Sequence, residues 1–105
     1  MFVTIRFTTE DQCIPTITKL NIKKATTGLY AQTLHYGNGV FEGIRSYKTE
    51  DGAQIFKAKA HYERFLYSAK AMHIPCEYSV EELTSLTYEL LQKNNLEDAY
   101  VRPLL

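Results

Sequence analysis

Glycines at 37, 39 and 43 stand within Leu34-His35-Tyr36-Gly37-Asn38-Gly39-Val40-Phe41-Glu42-Gly43-Ile44-Arg45, and the kind of element they lead into constrains the fold. The run from Val40 to Tyr47 carries Val, Phe, Ile and Tyr and leads to Asp51-Gly52. The glycines therefore feed a strand and a hairpin turn rather than a helix. A dinucleotide-binding glycine loop comes after a strand and opens a helix, so that a pyrophosphate meets the helix N-terminus. That junction is of the wrong kind here, and the dinucleotide reading is weak. Two readings remain: a turn whose glycines serve conformation alone, or a place where backbone comes close to a ligand between the rings at 35, 36 and 41.

The hairpin is predicted from Val40–Tyr47 and Ala53–Lys59, joined through Thr49-Glu50-Asp51-Gly52. In its first arm Phe41, Gly43, Arg45 and Tyr47 share one face, and Val40, Glu42, Ile44 and Ser46 the other. Neither face is cleanly apolar. Glu and Arg on opposite faces place this strand near an edge or along a polar cavity.

Two helices come next. From His61 to His73, Tyr62, Phe65, Leu66, Ala69 and Met72 recur at helical spacing, with Pro75 as the stop. The second helix opens at Ser79-Val80-Glu81-Glu82, where hydroxyl and carboxylate are spaced for a capping box. Leu83, Leu86, Leu90 and Leu91 form its predicted buried stripe, and Lys93-Asn94-Asn95 closes it.

The remaining chain is strand-like. Residues 2–8 alternate well enough for a first strand, Glu10-Asp11-Gln12 marks a turn, and a β-prone run spans Ile14 to Ile22 with Pro15 near its start. Lys23 to Gly28 reads as a loop, with Thr26 or Thr27 capping a short helical turn through Leu29-Tyr30-Ala31. Ala99 to Leu105 is a further strand, which Pro103 assigns to an edge or a strand end. The expectation is one α+β domain over 1–105, a layered, antiparallel-rich sheet with two helices. The chain stops within an apparent strand and so looks truncated.

Composition excludes several classes. Basic and acidic residues balance at 12 each, which suggests no nucleic-acid footprint. No apolar run approaches a membrane span, and no signal-peptide order opens the chain, which favours the cytoplasm. Cys13 and Cys76 lack metal-ligand spacing and read as incidental thiols. His61 and His73 are wrongly spaced for a joint metal site on one helix face. His35 beside Tyr36 has no nucleophile near it in sequence, so a packing or hydrogen-bonding histidine is the simpler account.

The arginines carry more. Arg64, among Tyr62, Phe65 and Tyr67, is either a solvated helix residue or an anion ligand with a planar charged fork. Arg102 lies in an apolar strand, where an unpaired guanidinium is costly. It either lines a polar cavity or pairs with a carboxylate such as Glu42. Tyr100 projects to the same strand face as Arg102, and the two together suit a carboxylate.

These residues resemble the N-terminal part of the branched-chain amino acid aminotransferases, in the fold-type IV group of pyridoxal-phosphate enzymes. The matching blocks are Gln32-Thr33-Leu34-His35-Tyr36-Gly37, Val40-Phe41-Glu42-Gly43-Ile44-Arg45, Ile55-Phe56, His61-Tyr62-Glu63-Arg64, Ser68-Ala69-Lys70, Lys93-Asn94-Asn95-Leu96 and Ala99-Tyr100-Val101-Arg102-Pro103-Leu104. They occur in family order across residues 29–105, whereas the first 28 residues match poorly. The resemblance implies the small N-terminal domain of a class IV aminotransferase, a homodimer that moves an amino group between a branched-chain amino acid and 2-oxoglutarate.

It further implies Arg64 as a ligand of the pyridoxal 5'-phosphate phosphate group and Tyr100 as a ligand of the substrate α-carboxylate. Arg102, with Tyr36 reaching across a dimer interface, would meet a distal carboxylate, and Phe41 and Gly43 would shape an apolar pocket. The family's Schiff-base lysine lies beyond the position matching Arg102, so no catalytic residue is expected in these 105 residues and no turnover from them alone. The rival readings are a D-amino acid aminotransferase or an aminodeoxychorismate lyase of the same fold, or a non-catalytic dimerising module.

Overall fold

The structure, a computed structural model, describes residues 2–6 and 28–105. Its elements are β1 (Phe2–Arg6), α1 (Gln32–Tyr36), β2 (Ile44–Thr49), β3 (Gly52–Ile55), α2 (Ala58–Ala71), α3 (Val80–Lys93) and β4 (Ala99–Leu104). The strands form one sheet in the order β1-β4-β2-β3. β2 runs antiparallel to both β3 and β4, and β1 lies parallel to β4 with Phe2 opposite Tyr100. The α+β, antiparallel-rich expectation therefore holds. The predicted strand at 14–22, the loop at 23–28 with its threonine caps, and Cys13 fall outside the described residues or at their border.

Alternation along the strands sets the layers. Ile44 and Ser46 on β2, and Ala99, Val101 and Pro103 on β4, are buried, while their neighbours in sequence are exposed or half-buried. The buried side meets Tyr62, Phe65 and Ala69 of α2 and Leu83, Leu90 and Leu91 of α3 in one apolar cluster. Both long helices thus cover the same sheet face, and among the described residues no helix covers the other, the open face. Tyr62 and Phe65 meet edge to face, 6.2 Å between centroids, the geometry their ring quadrupoles favour.

Several boundaries differ from the sequence reading, each for a physical reason. The helical turn expected at 29–31 forms later, at Gln32–Tyr36, with Ala31 at its N-cap and no side-chain cap. It ends on Gly37 at φ 64°, a left-handed position that glycine occupies without steric cost. The hairpin's second arm stops at Ile55, and α2 starts at Ala58, because Lys57 turns left-handed at φ 48°. α2 also ends at Ala71, so Met72 is its C-cap and is exposed rather than part of the stripe. In α3 the second buried position is Thr87, and Leu86 is only half-buried. The capping box forms as expected: Ser79 Oγ accepts from Glu82 N–H at 3.1 Å, and Glu82 Oε2 accepts from Ser79 N–H at 2.8 Å.

The largest correction concerns edges. Neither β2 nor β4 is an edge strand; both are interior. Pro103 is buried, opposite Ile5 of β1, and stands next to the last residue of β4, so of the two placements expected for it the strand end holds and the edge does not. Its cost appears in the ladder to the preceding strand. Glu42 N–H donates to Pro103 C=O at 3.2 Å, but proline has no N–H with which to return a bond. Pairing of the 40–42 segment is thus reduced to an isolated bridge between Phe41 and Leu104, flanked by the paired bonds of Val40 and Leu105. That is why the strand expected from Val40 begins only at Ile44.

Candidate functional site

The open sheet face gathers most of the residues singled out from sequence. Arg45 pairs with Tyr100 across the β2–β4 ladder, and Tyr100 leans along it onto Gly43. A Cβ at Gly43 would stand 2.5 Å from Tyr100 Oη and 3.2 Å from Cζ, so only glycine lets the ring lie there. Arg102 Nη2 donates to Tyr100 Oη at 3.2 Å. The Arg102 guanidinium also lies over the Phe41 ring, 4.9 Å from its centroid, and 5.6 Å from that of Tyr100. A place over ring faces suits a delocalised cation.

Phe41, Gly43, Tyr100 and Arg102 therefore form one continuous surface. Tyr36 stands on a separate element, α1, and is 79% exposed. The adjacent His35 donates through Nε2–H to the Leu29 carbonyl, 2.6 Å away, which is the hydrogen-bonding role expected of it. At the rim, Arg45 holds Asp98 at 2.7 Å and lies over the Tyr47 ring at 5.7 Å.

Arg64 lies on the other side of the sheet. Its Nε and Nη2 donate to Glu42 Oε1 and Oε2 at 2.5 and 2.7 Å, a two-point fork. His61 Nδ1 is 3.0 Å from Glu42 Oε2. A bare ring nitrogen facing a carboxylate oxygen at that distance would be repulsive, so Nδ1 carries the proton and donates. Its 3.3 Å approach to Arg64 Nη2 is then a contact between two donors, not a bond. The Arg64 hydrogen bonds hold the Glu42 carboxyl below the usual glutamate range, against burial, which pushes it up.

This disposition removes one alternative. Arg102 does not pair with Glu42, because residues 42 and 102 point to opposite faces of the sheet. Nor is Arg64 simply a solvated helix residue: its side chain is 64% exposed, yet one edge is fixed by a carboxylate only 7% exposed. The grouping of Glu42, His61 and Arg64 was not anticipated from sequence. Two signals pointed to it. His61 and Arg64 are three apart on a helix and so share a face, and a carboxylate on the core side of a strand needs a cation.

Chemically, the open face sets a hydroxyl and a guanidinium beside apolar ring surface, which suits a carboxylate carried on a hydrophobic molecule. The clamped Arg64 presents its outer N–H edge to solvent, which suits an anion. A family model described as amino-transferase class IV matches residues 39–105. The branched-chain-amino-acid aminotransferase of Pseudomonas aeruginosa is 45% identical over 83 residues, 79% of this chain and 27% of that protein. The crystal structure of the Escherichia coli branched-chain amino acid aminotransferase matches with a TM-score of 0.73 and 39% identity, over 78% of this chain and 28% of that one. The branched-chain amino acid aminotransferase from Thermobaculum terrenum, in its PLP-bound holo form, matches with a TM-score of 0.66 and 30% identity, over 78% and 28%. The chain thus spans little more than a quarter of the length of these relatives, and they do not favour the rival readings as a lyase, a D-amino acid enzyme or a non-catalytic module.

Proposed function

Because this chain belongs to the amino-transferase class IV family, we propose that it forms the N-terminal part of a branched-chain amino acid aminotransferase. That enzyme exchanges an amino group between leucine, isoleucine or valine and 2-oxoglutarate, works with pyridoxal 5'-phosphate, and acts as a cytoplasmic homodimer. The observation that carries the reading is the meeting of Tyr100, Arg102, Phe41 and Gly43 on one open sheet face.

On that face Tyr100 binds the α-carboxylate common to every substrate through its hydroxyl. Arg102, joined by Tyr36 of a second copy, binds the distal carboxylate of glutamate. Phe41, with the gap left by Gly43, receives an aliphatic chain. One wall can serve both because the Arg102 guanidinium lies over the rings of Phe41 and Tyr100: the cation meets a carboxylate, while the ring surface beside it meets methyl groups.

Bound pyridoxal phosphate supplies an electron sink at the substrate α-carbon. Arg64 fits the phosphate of that group. Two of its five N–H groups are taken by Glu42, and the outer edge, in a side chain 64% exposed, remains for an anion. The lysine that would carry the cofactor and move the α-proton is assigned to sequence outside the matched residues.

The test is a substrate comparison in the whole enzyme carrying this chain. Arg102→Ala lowers kcat/KM for glutamate at least about tenfold more than for leucine, the scale of a hydrogen bond to a charged group. Tyr100→Phe lowers both by similar factors. Equal losses for glutamate and leucine in Arg102→Ala would remove the reading.

A further inference from the structure

Glu42 is the one charged residue buried among the described residues, and it sits on the core side of the sheet, 6% exposed. Taking a carboxylate out of water is expensive, and an apolar side chain of similar size would fill such a site at less cost. The pair is therefore poor evidence for a stabilising device, and its geometry indicates another use. The carboxylate accepts three hydrogen bonds, two from Arg64 and one from His61, whose side chain is 19% exposed. A guanidinium is rigid and planar, so fixing Nε and Nη2 on one edge also fixes the direction of the opposite edge. A lone exposed arginine would sample many rotamers; this one is held to one heading.

We propose that Glu42, supported by His61, is a positioning residue that aims the outer N–H edge of Arg64 at the phosphate of the cofactor. This rests on the reading of Arg64 as a phosphate ligand. Glu42 itself touches neither substrate nor cofactor. Its negative charge opposes a phosphate at longer range, so the role is one of geometry, and the decisive variant must keep the charge while changing the reach. Glu42→Asp does so: the carboxylate keeps its charge and both oxygens but withdraws by one methylene from the place where it fixes Arg64.

The experiment measures binding of pyridoxal phosphate and of unphosphorylated pyridoxal to the apo form of the whole enzyme. Attachment of the carbonyl is common to both, so the ratio of their dissociation constants isolates the phosphate. Glu42→Asp should weaken pyridoxal phosphate about tenfold, the scale on which outer hydrogen-bond partners tune a liganding group, and leave pyridoxal unchanged. In an Arg64→Ala background the same substitution should have no further effect. Should Glu42→Asp fail to fold, His61→Phe, which keeps a ring and loses the Nδ1 donor, should shift the ratio in the same direction. An unchanged ratio in the folded variant, equal weakening of both ligands, or an effect that persists without Arg64 overturns the proposal. If Arg64→Ala itself leaves the ratio unchanged, the phosphate reading of Arg64 has failed, which is a different result.

Discussion

Tyr100 rests directly on Gly43, with its hydroxyl 2.5 Å from where a Cβ would stand. The glycine is needed for space rather than for an unusual backbone angle, so alanine can adopt the local conformation. The ring must then move, because a Cβ there would overlap its hydroxyl. Gly43→Ala should leave the thermal midpoint nearly unchanged while raising KM for amino acid substrates between about tenfold and about a hundredfold, as for a misplaced positioning group. Tyr100→Phe should add little in that background. A KM unaltered by Gly43→Ala would show that this contact does not shape the substrate wall.

Behind the sheet, Tyr62 and Thr87 share a buried hydrogen bond between α2 and α3, and Thr87 Oγ1 also donates to Leu83 C=O at 2.8 Å. Because the threonine proton is committed to Leu83, Tyr62 is the donor. The two removals are then unequal. Tyr62→Phe deletes a donor and leaves Thr87 bonded, costing about 1 kcal/mol, whereas Thr87→Val strands a buried phenol and costs about 2 kcal/mol or more. The double variant should lose less than the sum, read from urea unfolding midpoints.

The same phenol makes stability sensitive to alkali. Burial pushes the Tyr62 pKa up to about 12 from its ordinary value of 10.0. A group whose folded pKa is raised contributes stability below its unfolded pKa and loses it as pH climbs towards the folded value. Between about pH 10 and about pH 12, the protein should lose stability faster than Tyr62→Phe, and the two curves of thermal midpoint against pH should converge. Parallel curves across that window would place the alkaline titration elsewhere.

Helix α3 offers a local test. Ser79 and Glu82 satisfy each other's N–H groups reciprocally at its first turn. Ser79→Ala should cost about 1 kcal/mol of stability, with restoration by Ser79→Thr or Ser79→Asp. Chemical denaturation of the three variants decides it.

That box was legible because capping is local: a hydroxyl and a carboxylate three apart act on the backbone between them. The two amphipathic helices and the hairpin were legible for the same reason, through their periods. What the sequence hid is non-local. Lys57 takes a left-handed turn without being glycine, so nothing local marks the end of β3 before α2. Pro103 read as an edge or strand-end residue; it is at a strand end, but strand order places that strand inside the sheet and shifts the proline's cost onto the 40–42 segment. Tyr100 and Arg102 were readable as a pair from their spacing of two, whereas Glu42 and Arg64 are 22 residues apart and meet only once α2 packs on the sheet.

The Glu42 clamp predicts behaviour in acid as well as in cofactor binding. The hydrogen bonds from Arg64, then that from His61, hold the Glu42 carboxyl below its ordinary value, overriding the desolvation that would raise it. A depressed folded pKa means stability that is complete above the unfolded glutamate value of about 4.3 and is lost as pH falls through the lower folded one. Glu82 is also depressed, by its bonds at Ser79, and acts with the same sign. Comparison with Glu42→Gln separates the two, since Glu82 titrates equally in both proteins. The amide keeps the reach of Glu42 but offers one acceptor where Arg64 and His61 need two. The thermal midpoint of Glu42→Gln should therefore lie below that of the parent protein at pH 7, and the gap should close as the pH is lowered past about 4. A gap that stays constant down to pH 3 would mean that Glu42 is held by packing alone, and that its ionised carboxylate does not anchor Arg64.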